Sequence, residues 1–330
     1  MRVAFDSRRV DEPHGVGRYA RCLLTALRET AAPGAEIVQT HRPRQVDVFH
    51  SPWIDGALLR SPCPMVVTLH DLAAVKRRSE RLRTGLRPQL RHLAVQRAAR
   101  VIVSTHALAD EAQQRLGLEP ERLAVIPGAP HPEMRPRDGD EISVARRRHG
   151  LPQRYLVWVG NLEHPDPGRH IARLAAMPRE LPLVLVGPTR PWAHELPGVQ
   201  LTGHVGEAEL AAILGGAHAL VLAGEDAGLG LSAVEALACG TPVVAFDLPA
   251  LRELLGDRAV FVEPGDFSAL IDAAQAAPRP PAPAAGWTWS DAARATWRVY
   301  EQTLREAASR ARRGARHEGG LPGVSVDAAQ

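Results

Sequence analysis

The sequence predicts an α/β protein with two Rossmann-like, doubly wound parallel-sheet domains that face each other across a cleft. Short runs rich in β-branched residues recur between stretches with helical apolar spacing, which is the pattern of a parallel sheet covered by helices. This alternation stops at a polar stretch near the middle of the chain and then restarts. The 330 residues also suit two domains of ordinary size better than one.

Each half of the chain contains six predicted strands. In the first half they are Arg2–Asp6, Glu36–Thr40, Val46–His50, Met65–His70, Arg100–Ser104 and Leu123–Ile126. In the second half they are Tyr155–Val159, Leu183–Val186, Val199–Thr202, Ala219–Leu222, Pro242–Phe246 and Val260–Val262. Apolar residues at helical spacing in "GVGRYARCLLTALRET" and "ALADEAQQRLGL" predict helices between the strands of the first half.

The polar stretch that separates the halves, His131–Gln153, is rich in proline, glycine and charge, as an interdomain linker is. We therefore assign residues 1–140 to the first domain and residues 141–286 to the second. The proline-rich stretch Ala277–Gly286 predicts a spacer, because it suits neither a helix nor a central strand. A helix is predicted over 287–312, with Ser290 as its N-cap and Asp291 in its first turn, and a disordered tail over 313–330.

Cysteine usage and the N-terminus predict a cytoplasmic protein. The three cysteines are far apart and form no CxxC pair, so we expect neither disulfides nor a zinc site. The chain opens directly on the strand "MRVAFDS" without a basic segment and an apolar run, which argues against a signal peptide. No apolar run approaches the length of a membrane span.

Positive charge is concentrated in Lys76–Arg100, where many arginines stand against one acid, Glu80. Such a patch fits nucleic acid, an anionic lipid surface or an anionic substrate, and the alternative is a solvated helix face. No nucleic-acid motif accompanies the patch, and aromatic residues make up only 4% of the chain. We therefore expect no nucleic-acid partner.

Two groups of candidate residues follow strands of the first half, where ligands of doubly wound sheets bind. Gly15 and Gly17 precede a helix whose free N–H groups suit an anion, but the third glycine of a dinucleotide motif is missing. The alternative is a flexible turn. His70 and Asp71 end the apolar strand of "VVTLHDLA", where a histidine can hydrogen-bond a hydroxyl or a reacting group. The alternative is a capped strand end.

Two further groups follow strands of the second half. Asn161 ends "YLVWVGN", and Arg169 then stands near a helix start, where an arginine can bind a phosphate or be an ordinary surface residue. In "EDAGLGLSAVEALACGTPVV", Gly228 and Gly230 expose backbone N–H groups at a helix start. Glu235 lies in the first turns of that helix and can accept hydrogen bonds from a ribose diol or cap the helix.

Taken together, these motifs resemble the GT-B glycosyltransferases of family 4, which are retaining and use nucleotide sugars. The most specific match is "GLGLSAVEALACGTPVV", and "VVTLHDL", "VIVSTHALADE", "LAVIPGA", "YLVWVGNL", "LTGHVGEAELAAIL" and "FVEPGD" match in type and order. The resemblance covers nearly the whole chain. It implies a GT-B fold with an acceptor-side first domain, a nucleotide-sugar-binding second domain, and a last helix that crosses back to the first.

The resemblance also implies roles. Gly15 and Gly17 would lie against the donor diphosphate, His70 near the reacting sugar, and Arg169 on a phosphate where the family usually has a lysine. Val205 would bind the base, the backbone of Gly228, Leu229, Gly230 and Leu231 would hold the sugar and phosphate, and Glu235 would bind the ribose. Asn161 is also counted among the donor-binding residues. Catalysis would need neither a metal nor a cofactor besides the UDP-, GDP- or dTDP-sugar donor. The D-x-D at Asp138 and Asp140 lies in the predicted linker and is interpreted as solvated charge.

The largest departure from the family pattern is Ala227, which stands where the family usually has a glutamate that binds hydroxyls of the transferred sugar. Glu225 or Asp226 would have to supply that carboxylate, after a shift of one or two loop residues. The first hypothesis is therefore an active, metal-independent, retaining hexosyltransferase that acts on a lipid-linked, glycan or natural-product acceptor. The second is a catalytically weakened or inactive relative that serves as a binding or partner subunit.

Two other expectations follow from the resemblance. In this family the region that matches Lys76–Arg100 often faces the acceptor and, in several members, the membrane, so a peripheral contact with an anionic membrane surface is expected. A third interpretation, a phosphorylase or epimerase of the same fold, is disfavoured. Such phosphorylases carry a pyridoxal lysine, whereas this chain has very few lysines.

Overall fold

Two parallel six-stranded sheets organise the chain, one in each half. The computed structural model describes residues 1–12, 15–72, 86–226, 228–279 and 286–318. The first half contains β1 (Arg2–Phe5), α1 (Val16–Glu29), β2 (Glu36–Gln39), β3 (Val48–Ser51), β4 (Met65–Leu69), α2 (Leu86–Gln96), β5 (Arg100–Val103), α3 (His106–Leu116) and β6 (Leu123–Val125). All six strands predicted for this half are present.

The second half repeats the plan. It contains α4 (Gly139–His149), β7 (Leu156–Val159), α5 (Ile171–Ala176), β8 (Leu183–Val186), α6 (Pro191–His194), β9 (Val199–Gly203), α7 (Glu207–Gly216), β10 (Ala219–Leu222), α8 (Leu231–Ala238), β11 (Val243–Phe246), α9 (Pro249–Leu255), β12 (Ala259–Val262), α10 (Phe267–Ala276) and α11 (Trp289–Glu318). The six strands predicted here are also present.

The strand orders place a topological switch point in each sheet. The first sheet runs β2-β1-β3-β4-β5-β6 and the second runs β12-β11-β10-β7-β8-β9. The direction in which successive strands are added to the sheet therefore reverses between β1 and β3 in the first sheet and between β7 and β10 in the second. Ligands of open parallel sheets bind beyond the carboxyl ends of the strands at such points.

Apolar strands covered on both faces by helices hold each sheet. The burial of β3, β4, β5, β8 and β11 is complete along their length, as expected for a sheet covered on two sides. Helix α1 buries its apolar stripe, including Leu23 and Leu27, against the first sheet and against Trp297 and Tyr300 of α11. The hydrophobic effect of this burial is the main force that holds the elements together.

The predicted linker His131–Gln153 contains a helix, α4, that was not predicted from the sequence. Asp138 accepts a hydrogen bond from the backbone N–H of Glu141 at 2.8 Å, and the Glu141 carboxylate accepts one from the Asp138 N–H at 3.2 Å. This reciprocal capping box and a left-handed Gly150 define the two ends of the helix. Asp138 is therefore a helix cap, and Ala145 places one face of α4 in the core.

The last helix, α11, packs on the first half of the chain. The indole N–H of Trp297 donates to the Leu27 carbonyl at 3.2 Å, and the Tyr300 hydroxyl lies 2.6 Å from Nδ1 of the buried His50. Burial lowers the pKa of His50 to about 3, so this histidine is neutral.

Both ends of α11 differ from the prediction. Its cap is Thr288 instead of Ser290, because Thr288 Oγ1 accepts from the Asp291 N–H at 3.2 Å while the Asp291 carboxylate accepts from the Thr288 N–H at 3.0 Å. Asp291 lies in the first turn as predicted. The helix continues to Glu318, beyond the predicted end at residue 312. The rest of the predicted tail, like residues 280–285 of the spacer, lies outside the described residues.

Cys22, Cys63 and Cys239 are all described and all are free thiols. Across the part of the chain that the structure describes, no helix has the length and apolar character needed to cross a membrane. Much of the arginine-rich segment Lys76–Arg100 lies outside the described residues.

Glu253 links the two halves away from the cleft. Its carboxylate, on α9, accepts from the backbone N–H groups of His106 and Ala107 at 2.8 and 3.0 Å, at the start of α3. Burial by itself would raise the pKa of Glu253, but these N–H donors more than offset it and hold the pKa below its ordinary value. The carboxylate thus stabilises α3 as an N-terminal anion supplied by the other half.

We expect Glu253→Gln to lower the free energy of unfolding by about 1 kcal/mol at neutral pH. Because the folded-state pKa is depressed, this contribution exists above the unfolded pKa and is lost as pH falls through the folded pKa. Urea unfolding at neutral and acid pH measures the difference. The exposed Glu301→Gln is the control, and an equal effect of both variants at neutral pH would contradict the role of Glu253.

Candidate functional site

A cavity of about 270 Å³ lies between the carboxyl ends of the two sheets. The first half contributes the start of α1 and the residues that follow β4. The second half contributes the loops after β7, β8, β9 and β10 and the start of α8. The lining includes Gly15, Val16, Arg18, His70, Asp71, Gly160, Asn161, Arg169, Gly187, His204, Val205, Asp226, Gly228, Leu229, Gly230, Leu231 and Glu235. Loops from both sides of the β7–β10 switch point therefore meet in one cavity.

Gly15 is the N-cap of α1, with φ of 56° and ψ of −115°, and no side chain caps the first N–H groups of the helix. Gly15 and Val16 line the cavity. A helix start of this kind suits an anion. Gly17, by contrast, does not line the cavity. A Cβ there would overlap the Glu12 carbonyl oxygen and lie 2.5 Å from that of Arg9. Gly17 is thus required for packing against the preceding loop, and the prediction that it contacts a ligand is not supported by its position.

His70 is a buried, neutral hydrogen-bond acceptor. Its Nε2 lies 2.6 Å from the Pro52 carbonyl oxygen, and because a carbonyl only accepts, Nε2 carries the proton. Nδ1 is buried and has no hydrogen-bond partner within the described part of the chain. Burial lowers the pKa of His70 to about 4, against the raising effect of the Pro52 carbonyl. This imidazole is therefore suited to accept a hydrogen bond from a hydroxyl rather than to act as an acid at neutral pH.

Arg169 and Asn161 line the cavity after β7. Arg169 Nε pairs with Asp166 at 3.2 Å, in a short 3-10 turn, and the side chain keeps 45% of its surface exposed. A Cβ on Gly160 would lie 2.9 Å from Arg169 Nη1, so the guanidinium lies directly over that glycine. The oxygen of Asn161 accepts from the Glu163 N–H at 2.7 Å, which fixes the loop.

The glycine loop before α8 has the backbone geometry of an anion site. Gly228 and Gly230 have φ of 54° and 62°, and Gly230 is the N-cap of α8 with no side-chain cap. The N–H groups that begin α8 therefore remain for a ligand, and the helix dipole favours negative charge there. The neighbouring residue Ala227, where the family usually has a glutamate, lies outside the described residues.

Glu235 is not a helix cap but a buried carboxylate one turn into α8, with 1% of its surface exposed. Arg18 Nη1 donates to its Oε2 at 2.6 Å, whereas Oε1 has no partner within the described part of the chain at hydrogen-bond distance. Burial raises the pKa of Glu235 to about 7, and the positive charge of Arg18 opposes that shift.

Glu225 and Asp226, the two acids proposed to replace the missing glutamate, differ in position. The Glu225 carboxylate pairs with His170 Nε2 at 2.9 Å, is 61% exposed and does not line the cavity. Its backbone N–H donates to the Gly168 carbonyl at 2.8 Å, which ties the glycine loop to the Arg169 turn. Asp226 lines the cavity. Of the two acids, Asp226 therefore lies at the cavity, whereas Glu225 contacts the neighbouring turn.

Eleven of the thirteen predicted site residues line this one cavity, all except Gly17 and Glu225. Sequence reasoning missed Arg18, Gly187 and His204. Arg18 could have been found from the sequence, because it is a charged residue in the first turn of α1, directly after the glycine turn. Gly187 and His204 follow β8 and β9, as ligand-binding residues of such sheets do.

Among the described residues, no three His, Cys, Asp or Glu side chains come together as a possible metal site. Asp138 of the D-x-D is occupied as the cap of α4.

The fold and the cavity define a class: two Rossmann-like sheets with a glycine-rich loop and an uncapped helix start at the switch point of the second. Two family models match this chain, "Glycosyltransferase Family 4" over residues 3–132 and "Glycosyl transferases group 1" over residues 153–277. Together they cover most of the chain. The chain belongs to glycosyltransferase family 4 and has the GT-B fold.

Curated relatives support the assignment. D-inositol 3-phosphate glycosyltransferase of Geodermatophilus obscurus is 33% identical over 299 residues, which cover 76% of this chain and 63% of the relative. The protein of the same name from Mycobacterium bovis is 32% identical over 261 residues, which cover 70% of this chain and 53% of the relative. The chain thus spans between half and two thirds of the length of these relatives.

Solved structures show the same fold. Sucrose-phosphate synthase from Thermosynechococcus elongatus superposes with a TM-score of 0.67 at 18% identity, over 95% of this chain and 98% of that one. Anabaena HepE, in complex with UDP and glucose, superposes with a TM-score of 0.64 at 16% identity, over 94% of this chain and 98% of that one.

Proposed function

We propose that the protein is a retaining glycosyltransferase that moves a hexose from a nucleotide-diphosphate sugar to an acceptor hydroxyl. The bond between the anomeric carbon and the diphosphate breaks, and a bond to the acceptor oxygen forms on the same face of the sugar. The acceptor proton leaves with the nucleoside diphosphate. The observation that carries the proposal is the glycine loop at the start of α8, with the buried Glu235 one turn behind it, at the switch point of the second sheet.

The lining supports an order for the donor across the cavity. The N–H groups after Gly230 and the guanidinium of Arg169 suit the diphosphate, because both offer donors to phosphate oxygens. The free Oε1 of Glu235 suits a ribose hydroxyl, and Val205 suits the base. His70, from the other half, suits a hydroxyl of the transferred sugar through Nδ1.

The names of the relatives agree with this class of reaction. Two of the relatives are called D-inositol 3-phosphate glycosyltransferases, and HepE has been solved with UDP and with UDP-glucose. For the present chain we propose a UDP-, GDP- or dTDP-sugar donor, no resident cofactor and no catalytic metal.

Transfer and hydrolysis assays with a panel of UDP-, GDP- and dTDP-sugars test the proposal, beside thermal shifts with the three nucleoside diphosphates. We expect one diphosphate to stabilise the protein and its sugar to be turned over. The second hypothesis, an inactive partner subunit, rests on Ala227. The partner-subunit hypothesis replaces the glycosyltransferase hypothesis if a nucleotide binds but no sugar is hydrolysed or transferred to any lipid-linked, glycan or natural-product acceptor.

The two neighbouring acids should respond differently to mutation. We expect Asp226→Asn to lower kcat at least tenfold, because a charged hydrogen bond to a sugar hydroxyl contributes about 1.5–3 kcal/mol. Glu225→Gln should change kcat less than about threefold, since its carboxylate faces His170 instead of the cavity. Steady-state kinetics with the preferred donor measure both. A larger loss in Glu225→Gln than in Asp226→Asn would contradict the assignment.

Peripheral binding to an anionic membrane through Lys76–Arg100 stays a proposal. Three arginines of the described part of this segment are already engaged: Arg91 with Asp55, Arg97 with the Leu59 carbonyl at 2.6 Å, and Arg100 with Glu306. The charge available to lipid would therefore come mainly from residues 76–85, which lie outside the described residues. Pelleting with anionic vesicles at low salt tests the idea, and no binding there would remove it.

A further inference from the structure

Arg18 connects the two halves of the protein through the candidate donor site. It lies on α1, in the first half, and its Nη1 donates to Oε2 of Glu235 on α8 at 2.6 Å. Its Nη2 lies 2.6 Å from Oε2 of Glu207, the first residue of α7. One guanidinium therefore contacts two carboxylates of the second half and also lines the cavity.

These contacts are shielded from water. The side chains of Arg18 and Glu235 are 9% and 2% exposed, and that of Glu207 is 23% exposed. A buried ion pair is a weak source of net stability, because the charges lose their hydration. The buried pair of Arg18 and Glu235 therefore calls for an explanation other than stability. A planar guanidinium with fixed N–H directions is, however, well suited to orient a carboxylate.

The orientation leaves one oxygen of Glu235 for a ligand. Oε2 is held by Arg18, whereas Oε1 is buried and has no hydrogen-bond partner within the described part of the chain. An unsatisfied buried carboxylate oxygen costs free energy unless a donor reaches it. Because Glu235 lines the cavity, that donor can be a hydroxyl of the bound nucleotide.

We propose that Arg18 is a positioning residue for donor binding: it holds Glu235 so that Oε1 faces the ribose diol. The proposal rests on the proposed function, because it needs a nucleotide donor in this cavity. It adds that a residue of the first half completes the ribose site of the second. Donor affinity is thereby linked to the approach of the two halves, since Arg18 reaches Glu235 only when α1 lies against α8.

The charges around Glu235 make the role measurable by pH. Burial raises the pKa of this carboxyl, Arg18 lowers it and Glu207 raises it. The nearby backbone N–H of His131 also lowers it, although it does not reach Oε1 at hydrogen-bond geometry. Arg21 also contacts this cluster, because its Nη2 lies 3.5 Å from Oε1 of Glu207. Three further titratable groups interact with the cluster, the His131 side chain, Cys22 and Cys239. Burial lowers the pKa of His131 and raises the pKa of each of the two thiols to about 12, so these groups are neutral near pH 7. Removal of Arg18 should therefore move the ionisation of Glu235 to higher pH.

The experiment measures binding of UDP, GDP and dTDP to the full chain and to Arg18→Gln, Arg18→Lys and Arg28→Gln. Each nucleotide is measured beside its 2′,3′-dideoxy analogue, which lacks both ribose hydroxyls of UDP and GDP and the single 3′-hydroxyl of dTDP. Arg28 lies on the same helix, is exposed and serves as the control. For the diphosphate that the wild type binds, we expect Arg18→Gln to lose roughly tenfold to a hundredfold in affinity. Arg18→Lys should recover part of the loss, and Arg28→Gln should bind normally.

Binding of the dideoxy analogue distinguishes a positioning role of Arg18 from a general loss of structure in Arg18→Gln. Without ribose hydroxyls, the analogue should bind the wild type and Arg18→Gln within about threefold of each other. The pH midpoint for the parent diphosphate should also rise in Arg18→Gln. Equal losses for both nucleotides, with an unchanged pH midpoint, would overturn the proposal. A wild type that binds none of the three diphosphates would instead overturn the proposed function.

Discussion

Gly187→Ala should destabilise the protein by about 4 kcal/mol and abolish nucleotide binding. Gly187 follows β8 with φ of 142°, a backbone conformation that residues with a Cβ rarely adopt. A Cβ there would overlap the carbonyl oxygen of Gly160 and lie 2.9 Å from its carbonyl carbon. Because Gly160 directly follows the last residue of β7, relief of the overlap requires movement of backbone at the switch point.

The surrounding hydrogen bonds make that movement costly. The Gly187 N–H donates to the Gly203 carbonyl at 3.0 Å, and the Gly160 N–H donates to the Val186 carbonyl at 2.9 Å. A displaced Gly160 would also carry with it the chain that leads to Asn161 and Arg169. The variant should therefore lose ligand binding as well as stability.

Urea unfolding and nucleotide titration measure both effects. Gly139→Ala is the matched control, since Gly139 is the first residue of α4 and a Cβ there meets nothing within 4 Å. It should be neutral or more stable by about 0.5 kcal/mol, because alanine favours a helix over glycine. The steric argument fails if both variants unfold at the same urea concentration.

Glu235→Gln should weaken binding of the preferred nucleoside diphosphate roughly tenfold to a hundredfold near pH 8. The amide lacks the charge that accepts strongly from ribose hydroxyls, and it pairs more weakly with Arg18. In the wild type, affinity should fall as pH decreases through about 7, where the Glu235 carboxyl takes up a proton. The variant should lack that part of the pH dependence.

The stability of the wild type relative to Glu235→Gln should change with pH in the sense opposite to that of nucleotide affinity. The pKa of Glu235 is raised to about 7, so its protonated form stabilises the folded state, and this contribution is fully present below the unfolded pKa. It is lost as pH rises through about 7. Relative to Glu235→Gln, the wild type should therefore lose stability between about pH 5 and about pH 8.

Isothermal titration and urea unfolding across this pH range test both statements. The nucleotide's own ionisation is common to the two proteins and cancels in the comparison. The exposed Glu263→Gln is the control. A variant that keeps the wild-type affinity and pH profile would show that Glu235 does not bind the ribose.

The fold was predictable because the sequence patterns that specify its strands are local. Each buried parallel strand is a short apolar run, and each run lies between polar or glycine-rich breaks, so all twelve strands were found. The helix in the stretch before β7 was not predicted, because the charge, proline and glycine of that stretch suggested a linker. The sequence Asp138 to Glu141 in fact contains the capping box that starts α4. Local sequence also favoured Ser290 over Thr288 as the cap of α11, although both are cap residues.

The candidate site was predictable to the extent that its residues follow strands, because topology brings the carboxyl ends of strands together. His70, Asn161, Arg169 and Asp226 are of this kind, and all four line the cavity. Which side of a loop a side chain faces is not encoded by its place in the sequence. Glu225, the neighbour of Asp226, turns to His170 instead.

By itself the sequence determined the two-sheet architecture and the glycine loop before α8, because these depend on apolar periodicity and on backbone freedom. The tertiary structure alone decided that Arg18 meets Glu235 across 217 positions of sequence. It also decided that Gly17 packs against its own loop and that Gly187 lies against Gly160. The Arg18 contact depends on how the two sheets are placed, and the two glycine contacts depend on how a loop folds back and on how β7 and β8 pair. No local pattern in the sequence specifies any of the three.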